Sequence, residues 1–296
     1  SGDQLYNMDF RDLVEQAKST DADLTVATLP VGRKAATRMG VMHVDESGKI
    51  ERFVEKPKDP ALLDEFVSPY LTSQKKPYLA SMGIYLYKRK ALLKQLETSQ
   101  GVDFGMHLIP EKVAEGRAFA YVYHGYWEDI GTIGTFYKAN MDLAKKNPPF
   151  DLYRDEAQVF SHVYHLPGAR IVSAKITESI ICEGSIVEAK EVTGSILGPR
   201  SLIGEGAVID HTYMMGNDSY APPVKDSPSY PSSFEVGENS IISGAILDKH
   251  VRIGKNVQLI NKKKLEEYDS PDGTLYVRDG VIIVTRGSEI PDGFEF

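Results

Sequence analysis

The chain has 296 residues, 42% of them hydrophobic and 26% charged, with a formal net charge of −8. That length holds one large or two ordinary domains with real cores, and the acidity argues against a general nucleic-acid binder. No apolar run approaches the roughly 20 residues that span a bilayer, and the single cysteine, Cys182, excludes an internal disulfide and fits a reducing cytosol.

The first residues are Ser1-Gly2-Asp3-Gln4-Leu5-Tyr6, with no initiator Met, basic region or apolar signal core. The Gly-Asp pair precedes a helical pattern (Met8, Phe10, Leu13, Val14, Ala17) and reads as the end of a strand whose body is missing. Leu24 to Leu29 is β-rich. Gly40–Val44 and Ile50–Val54 flank the polar turn Asp45–Lys49, which predicts a hairpin. A strand over Ser81–Tyr87 is followed by a helix over Lys90–Glu97. The apolar run Ala118–Tyr123 then enters Tyr126-Trp127-Glu128-Asp129-Ile130-Gly131-Thr132, and a helical pattern from Thr135 to Lys146 leaves it. This mixed order predicts a central sheet covered by helices over residues 1–145.

Asp129 admits two readings. Ligands of α/β proteins sit at the carboxyl ends of strands, and a carboxylate there suits a metal. Helix caps are the commoner use of such an Asp, with Thr132 a second candidate cap. Asp3, at a second predicted strand end, changes the balance. Two carboxylates suit a hard divalent cation such as Mg²⁺, which takes oxygen ligands and bridges them to substrate phosphates. In Phe53-Val54-Glu55-Lys56-Pro57-Lys58, the proline ends a strand. Glu55 and Lys56 point to opposite faces if the strand reaches Lys56. One then accepts hydrogen bonds from hydroxyls, and the other presents an ammonium to a phosphate. Taken alone, Glu-Lys-Pro reads as a solvated salt-bridge pair at a strand end.

Residues 146–160 form a linker around Asn147-Pro148-Pro149. Beyond it, over 161–296, Ile181-Cys182-Glu183-Gly184-Ser185 is one of four near-copies of a unit. The others begin at Ile203, Val236 and Ile253. Leu197, Ile203, Ile209 and Met215 recur at six, with a slip between Val187 and Leu197. Hexapeptide periods predict a β-helix whose short strands bury aliphatic side chains inside a prism; a β-sandwich is the alternative. Asp218–Phe234, with four prolines, reads as a loop thrown out from one coil. Cys182, in an apolar context, reads as an inert buried thiol.

The ordered set Ser1–Tyr6, Glu55-Lys56-Pro57, Ala80-Ser81-Met82-Gly83-Ile84-Tyr85, Asp103-Phe104-Gly105 with Ile109-Pro110, and Tyr126–Thr132 resembles bacterial and plant glucose-1-phosphate adenylyltransferase. The resemblance covers essentially the whole chain. It implies a Rossmann-like nucleotidyltransferase domain followed by a left-handed parallel β-helix. It also implies transfer of adenylyl from ATP to glucose 1-phosphate, giving ADP-glucose and pyrophosphate for glycogen or starch synthesis. By the same resemblance Asp3 and Asp129 hold Mg²⁺, and Lys56 contacts the sugar phosphate. Glu55 and Ser81 bind sugar hydroxyls, the Gly40 backbone lies close to the sugar, and Trp127 packs beneath the site. The family implies a homotetramer under control of an anionic effector, for which Lys249, Arg252, Lys255 and Arg278 are candidates. It further implies a cytoplasmic protein in a bacterium or a stromal one in a plant plastid.

Three other functions remain open on the residues. One is a non-catalytic regulatory or assembly subunit of the same family, and another is a sugar nucleotidyltransferase using a different nucleoside triphosphate. The last is a hexapeptide acyltransferase built on His211 or His250, which leaves Glu55-Lys56-Pro57 and Asp129 without a use. The chain departs from the family pattern in one respect. The triphosphate loop Gly-Gly-Gly-x-Gly-Thr-Arg-Leu and the adenine-recognition segment are absent from residues 1–296, which reads as a lost N-terminal segment. Purified residues 1–296 are therefore expected to form no ADP-glucose from ATP and glucose 1-phosphate; a radiolabel assay detecting product overturns this.

Overall fold

The computed structural model describes residues 2–71, 73, 75–155, 158–220 and 235–296. Chain packing divides it into two units, residues 1–2 with 6–127, and residues 3–5 with 128–296.

The elements before the β-helix run β1 (Gln4–Tyr6), α1 (Phe10–Ser19), β2 (Leu24–Val31), α2 (Arg33–Ala36), β3 (Gly40–Val44), β4 (Ile50–Glu55) and α3 (Pro60–Asp64). Next come β5 (Tyr78–Tyr87), α4 (Arg89–Thr98), a π-helical turn at Phe104–Leu108, α5 (Ile109–Ala114), β6 (Ala118–Val122), β7 (Trp127–Asp129) and α6 (Ile133–Leu143). Asp3 precedes β1 rather than ending a strand, because the extended segment begins at Gln4. Helix starts follow capping chemistry. Asp9 accepts from the Arg11 N–H at 2.9 Å, and Asp59 accepts from Ala61 ahead of a proline in the first turn.

The first unit is built on a mixed sheet in the order β4-β3-β5-β2-β6. β2 and β6 are parallel; β2–β5, β3–β5 and β3–β4 are antiparallel. β2 is apolar along most of its length because both its faces are covered. Leu24 and Val26 pack with Ile109 and Val113 of α5, while Ala27 faces Leu13 of α1 on the other side.

The second unit is a parallel β-helix with α6 against it. Three buried columns fill the prism. Val187, Ile203, Val236, Ile253 and Ile290 form the first. Val192, Ile209, Ile242 and Leu259 form the second. Leu197, Met214, Leu247 and Val284 form the third. Val187 pairs with Ile203 and Leu197 with Met214, so a coil advances 16 or 17 residues, short of three full hexapeptides. The slip between Val187 and Leu197 has this cause. The inward residue after Ile209 is Met214; Met215, at the expected six-residue step, is only half-buried. Buried hydroxyls satisfy the corners: Ser240 Oγ donates to the Gly254 carbonyl at 2.8 Å and accepts from the Val257 N–H at 3.0 Å.

An antiparallel meander, Glu267–Asp269, Leu275–Arg278 and Val281–Val284, is inserted before the final rung; the repeat pattern gave no sign of it. Of the predicted loop Asp218–Phe234, residues 221–234 lie outside the described residues. Helix α6 belongs with the β-helix. Phe136 meets Tyr213 edge-on with ring centroids 5.6 Å apart. The Tyr137 hydroxyl donates to the His211 carbonyl at 2.5 Å, and the Gly134 N–H donates to Asp279 Oδ2 at 3.1 Å. By packing, α6 therefore falls within the second unit.

Ile209→Ala, in the middle column, is expected to cost about 2–5 kcal/mol in chemical denaturation followed by circular dichroism. Ile241→Ala, at an exposed position of the neighbouring strand Ile241–Leu247, should stay within about 0.5 kcal/mol. Glu235 supplies a pH test. Its carboxyl is buried; Oε2 accepts from Asn217 Nδ2 at 3.0 Å and Oε1 has no hydrogen-bond partner among the described residues. Burial pushes its pKa up to about 8, against the smaller opposing effect of Asn217. The folded value lies above the unfolded one, so its contribution is fully present below about pH 4.3 and is lost as pH rises through 8. Glu235→Gln should flatten the fall in stability between pH 5 and 8, measured by thermal melts.

Candidate functional site

Asp129 is the last residue of β7, and the helix after it is capped by a different residue. Thr132 Oγ1 accepts from the Thr135 N–H, and Thr135 Oγ1 accepts from the Thr132 N–H, each at 3.2 Å. This reciprocal capping box starts α6, and it frees Asp129 from the capping role. The Asp129 carboxylate instead turns back on its own loop, where Oδ1 accepts from the Gly131 N–H at 2.8 Å. Asp3 comes to the same place. The Ile130 N–H donates to the Asp3 carbonyl at 2.9 Å. A Cβ on Gly131 would stand 2.9 Å from Asp3 Oδ2 and 3.0 Å from Asp129 Oδ1. Gly131 thus leaves room for two carboxylates to converge, and both are exposed.

Such a pair is an acceptor-only oxygen donor set, the chemistry a Mg²⁺ ion takes. Among the described residues no group of three or more His, Cys, Asp or Glu side chains could hold a metal. Two protein carboxylates therefore suit an ion that keeps waters or substrate oxygens as its remaining ligands. Trp127 packs against the cluster of Met8, Leu13, Ala27 and Met82, and its buried indole Nε1 has no hydrogen-bond partner among the described residues.

In the first unit β4 ends at Glu55. Lys56 adopts a left-handed backbone conformation, φ +46°, directly before a proline, where helical conformations are disfavoured. Its N–H donates to the Met39 carbonyl at 3.1 Å. The expected divergence of Glu55 and Lys56 onto opposite faces does not occur, because the strand has already turned. Lys56 Nζ lies 3.7 Å from Glu55 Oε1, with the lysine side chain 63% exposed and the glutamate 23%. One partner is presented to solvent and the other is held. Burial pushes the Glu55 carboxyl up; Lys56 draws it back down, and Asp103 adds to the rise.

Around Glu55 stand Gly40 and Ser81, to which the resemblance gave roles, and Asp103, Phe104 and Tyr85, to which it gave none. A Cβ on Gly40 would meet Phe53 Cζ and Glu55 Oε2 at 2.7 Å or less, so the space above Gly40 is filled by these two side chains. Asp103 Oδ1 accepts from the Met106 N–H at 2.7 Å and fixes the π-helical turn. Phe104 lies parallel to Tyr85, centroids 5.9 Å apart and 8° between planes. Burial pushes the Tyr85 hydroxyl up, Ser81 opposes this, and the carboxylates of Glu55 and Asp103 add to it. Ser81 Oγ accepts from the Gly83 N–H at 3.1 Å and lies 3.4 Å from the Tyr85 hydroxyl. The result is a half-buried acid, a hydroxyl pair, an aromatic wall and an exposed ammonium, a set able to take a polyol bearing an anion. The Asp-Phe-Gly and Ser-x-x-x-Tyr spacings carried the only sequence signal for the aromatic wall.

The four basic candidates of the second unit do not share one centre. Lys249 Nζ donates to Asp218 at 2.6 Å, Lys255 Nζ to Glu238 at 2.9 Å, and Arg278 Nη2 to Asp269 at 2.5 Å. Arg252 lines a small cavity of about 140 Å³ with Arg200, Asn217, Tyr220, Glu235 and His250. His250 Nε2 and Arg286 Nη2 also reach Asp218, at 3.3 and 2.8 Å; Arg200 and Arg286 were not singled out from sequence. Cys182 is partly buried, and burial pushes its thiol up, which accords with an inert thiol.

Comparison with known proteins gives concordant matches. The nucleotidyl transferase family model matches residues 1–146, and the GLGC left-handed parallel β-helix domain model matches residues 164–294. The chain is 37% identical over 308 residues to the chloroplastic/amyloplastic glucose-1-phosphate adenylyltransferase small subunit of Triticum aestivum. That match takes in 99% of this chain, which spans 65% of the length of the wheat protein. By these matches the chain joins a nucleotidyl transferase domain to a GLGC left-handed parallel β-helix domain, and along 99% of its length it is similar to a glucose-1-phosphate adenylyltransferase small subunit.

Proposed function

We propose that this chain binds glucose 1-phosphate and, in the protein of its full reading frame, transfers adenylyl from ATP to that sugar phosphate to give ADP-glucose and pyrophosphate. The observation that supports this most is the Glu55–Lys56 pair: a held carboxylate 3.7 Å from an exposed ammonium, in a chain similar to a glucose-1-phosphate adenylyltransferase small subunit. Lys56 would neutralise the phosphate, and its strained backbone keeps the ammonium near Glu55 rather than across the strand. Glu55, Ser81 and Tyr85 would take the sugar hydroxyls, and Phe104 would cover a ring face.

In the reaction a phosphate oxygen of the sugar attacks the α-phosphorus of ATP, the bond to pyrophosphate breaks, and no covalent enzyme intermediate is needed. The work of the protein is then positioning and neutralisation of charge. Asp3 and Asp129 would hold Mg²⁺, which supplies electrostatic stabilisation of the transferring phosphoryl group when bound. Gly131 keeps both carboxylates unobstructed. That Asp3, Asp129, Glu55 and Lys56 are all present favours a catalytic chain over a purely regulatory or assembly subunit. The use of ATP, tetrameric assembly, an anionic effector and a cytoplasmic or plastid location belong to the same proposal and rest on the resemblance. No helix among the described residues is long and apolar enough to cross a membrane.

Calorimetric titration tests the proposal. Residues 1–296 should bind glucose 1-phosphate, and Lys56→Ala should weaken that binding roughly 10- to 100-fold, the loss of charge-assisted hydrogen bonds to a phosphate. In the protein of the full reading frame the same change should raise KM for glucose 1-phosphate far more than KM for ATP. An equal effect on both substrates would remove Lys56 from the sugar-phosphate role.

A further inference from the structure

Gly105 sits in the π-helical turn Phe104–Leu108. Neither it nor Gly40 has a positive φ, so backbone conformation does not require glycine at either place; space does. A Cβ on Gly105 would lie 2.7 Å from Glu55 Oε2, 2.9 Å from Glu55 Cδ and 3.4 Å from Glu55 Cγ. A Cβ on Gly40 would meet the same Oε2 at 2.7 Å. The Glu55 carboxylate therefore lies in a slot made by two absent side chains, one on β3 and one on the turn. The turn cannot easily yield. Asp103 ties it at Met106, and Phe104 is stacked on Tyr85. The carboxylate is the free end of a flexible side chain, so it is the group that would move.

We propose that Gly105 is a positioning residue: with Gly40 it forms the slot that fixes the Glu55 carboxylate in the orientation used to accept sugar hydroxyls. The substrate in this statement rests on the glucose 1-phosphate proposal above. The slot itself rests only on the geometry. Filling it should leave folding nearly intact while displacing one functional group, a separation that a general packing role would not produce.

The test compares Gly105→Ala, Glu55→Ala, the double variant, and Gly105→Ala with Glu55→Asp, all in residues 1–296. Thermal melts check folding; should Gly105→Ala not fold, Gly40→Ala in a Phe53→Ala background, which removes the ring that its Cβ would also meet, probes the same slot from the other side. Carbon-detected NMR of labelled glutamate follows the Glu55 titration, whose neighbours are Lys56, Asp103 and Tyr85. Calorimetry follows glucose 1-phosphate. In Gly105→Ala the Glu55 titration should fall toward the ordinary carboxylate range as the group leaves its buried slot. Affinity for glucose 1-phosphate should fall about 10- to 100-fold, the usual size of a misplacement near 1 Å. The loss should vanish in the Glu55→Ala background, and the shorter Asp at 55 should recover part of it. An unmoved Glu55 titration, or an equal loss in the Glu55→Ala background, overturns the proposal. A moved titration without glucose 1-phosphate binding by any form leaves the positioning standing and removes the substrate.

Discussion

The seating of helix α6 on the β-helix is the constraint on which the second unit is organised. Three contacts make it: the Phe136–Tyr213 ring pair, the Tyr137 hydroxyl on the His211 carbonyl, and Asp279 on the Gly134 N–H. The last is a carboxylate at a helix N-terminus, where the backbone donors are unpaired and the helix dipole favours negative charge. Two residues upstream, Thr132 closes the capping box, and Gly131 and Asp129 lie just before it. The carboxylates of Asp3 and Asp129 thus stand on a segment whose exit direction is set by a repetitive, rigid core rather than by a surface loop.

The first unit solves a different problem. Its sheet must carry an acid that is partly withdrawn from water and a base that is not. Ending β4 at Glu55 and turning Lys56 into the left-handed region places both at one strand end. Burial raises the cost of ionising Glu55, and the nearby ammonium lowers it. The balance leaves a carboxylate that gains from hydroxyl donors, which is the chemistry of sugar recognition.

The strands and helices of the first unit were legible because β2, β3 with β4, and β5 bury apolar runs between polar turns, and patterning reports burial directly. The β-helix was legible from four near-copies of one unit. Its register was not, because inward positions are set by coil closure: Val187, Val192 and Leu197 step by five, whereas Leu197, Ile203 and Ile209 step by six. A fixed period of six therefore finds Met215 where the core holds Met214. Asp3 and Asp129 were each legible as aspartates near predicted helices. That both meet at Gly131 depends on tertiary pairing, which no local pattern encodes. The Glu55–Lys56 geometry failed at one torsion. Because the strand stops at Glu55, its period-two alternation does not extend to Lys56.

The variable coil length has a consequence for how such a molecule changes. A prism whose columns are set by pairing between coils, rather than by a strict count along the chain, is indifferent to what is added at its corners. Ile203 pairs with Val236 across the excursion that follows Met214, and Ile253 with Ile290 across the antiparallel meander; both columns stay continuous. Material inserted at a corner therefore answers to surface chemistry alone and can diverge without disturbing the core. The basic side chains of Lys249, His250 and Arg286 gather on Asp218 at one such corner. The β-helix acts as a spool on which new surface can be wound, while the structure that seats α6 stays as it was.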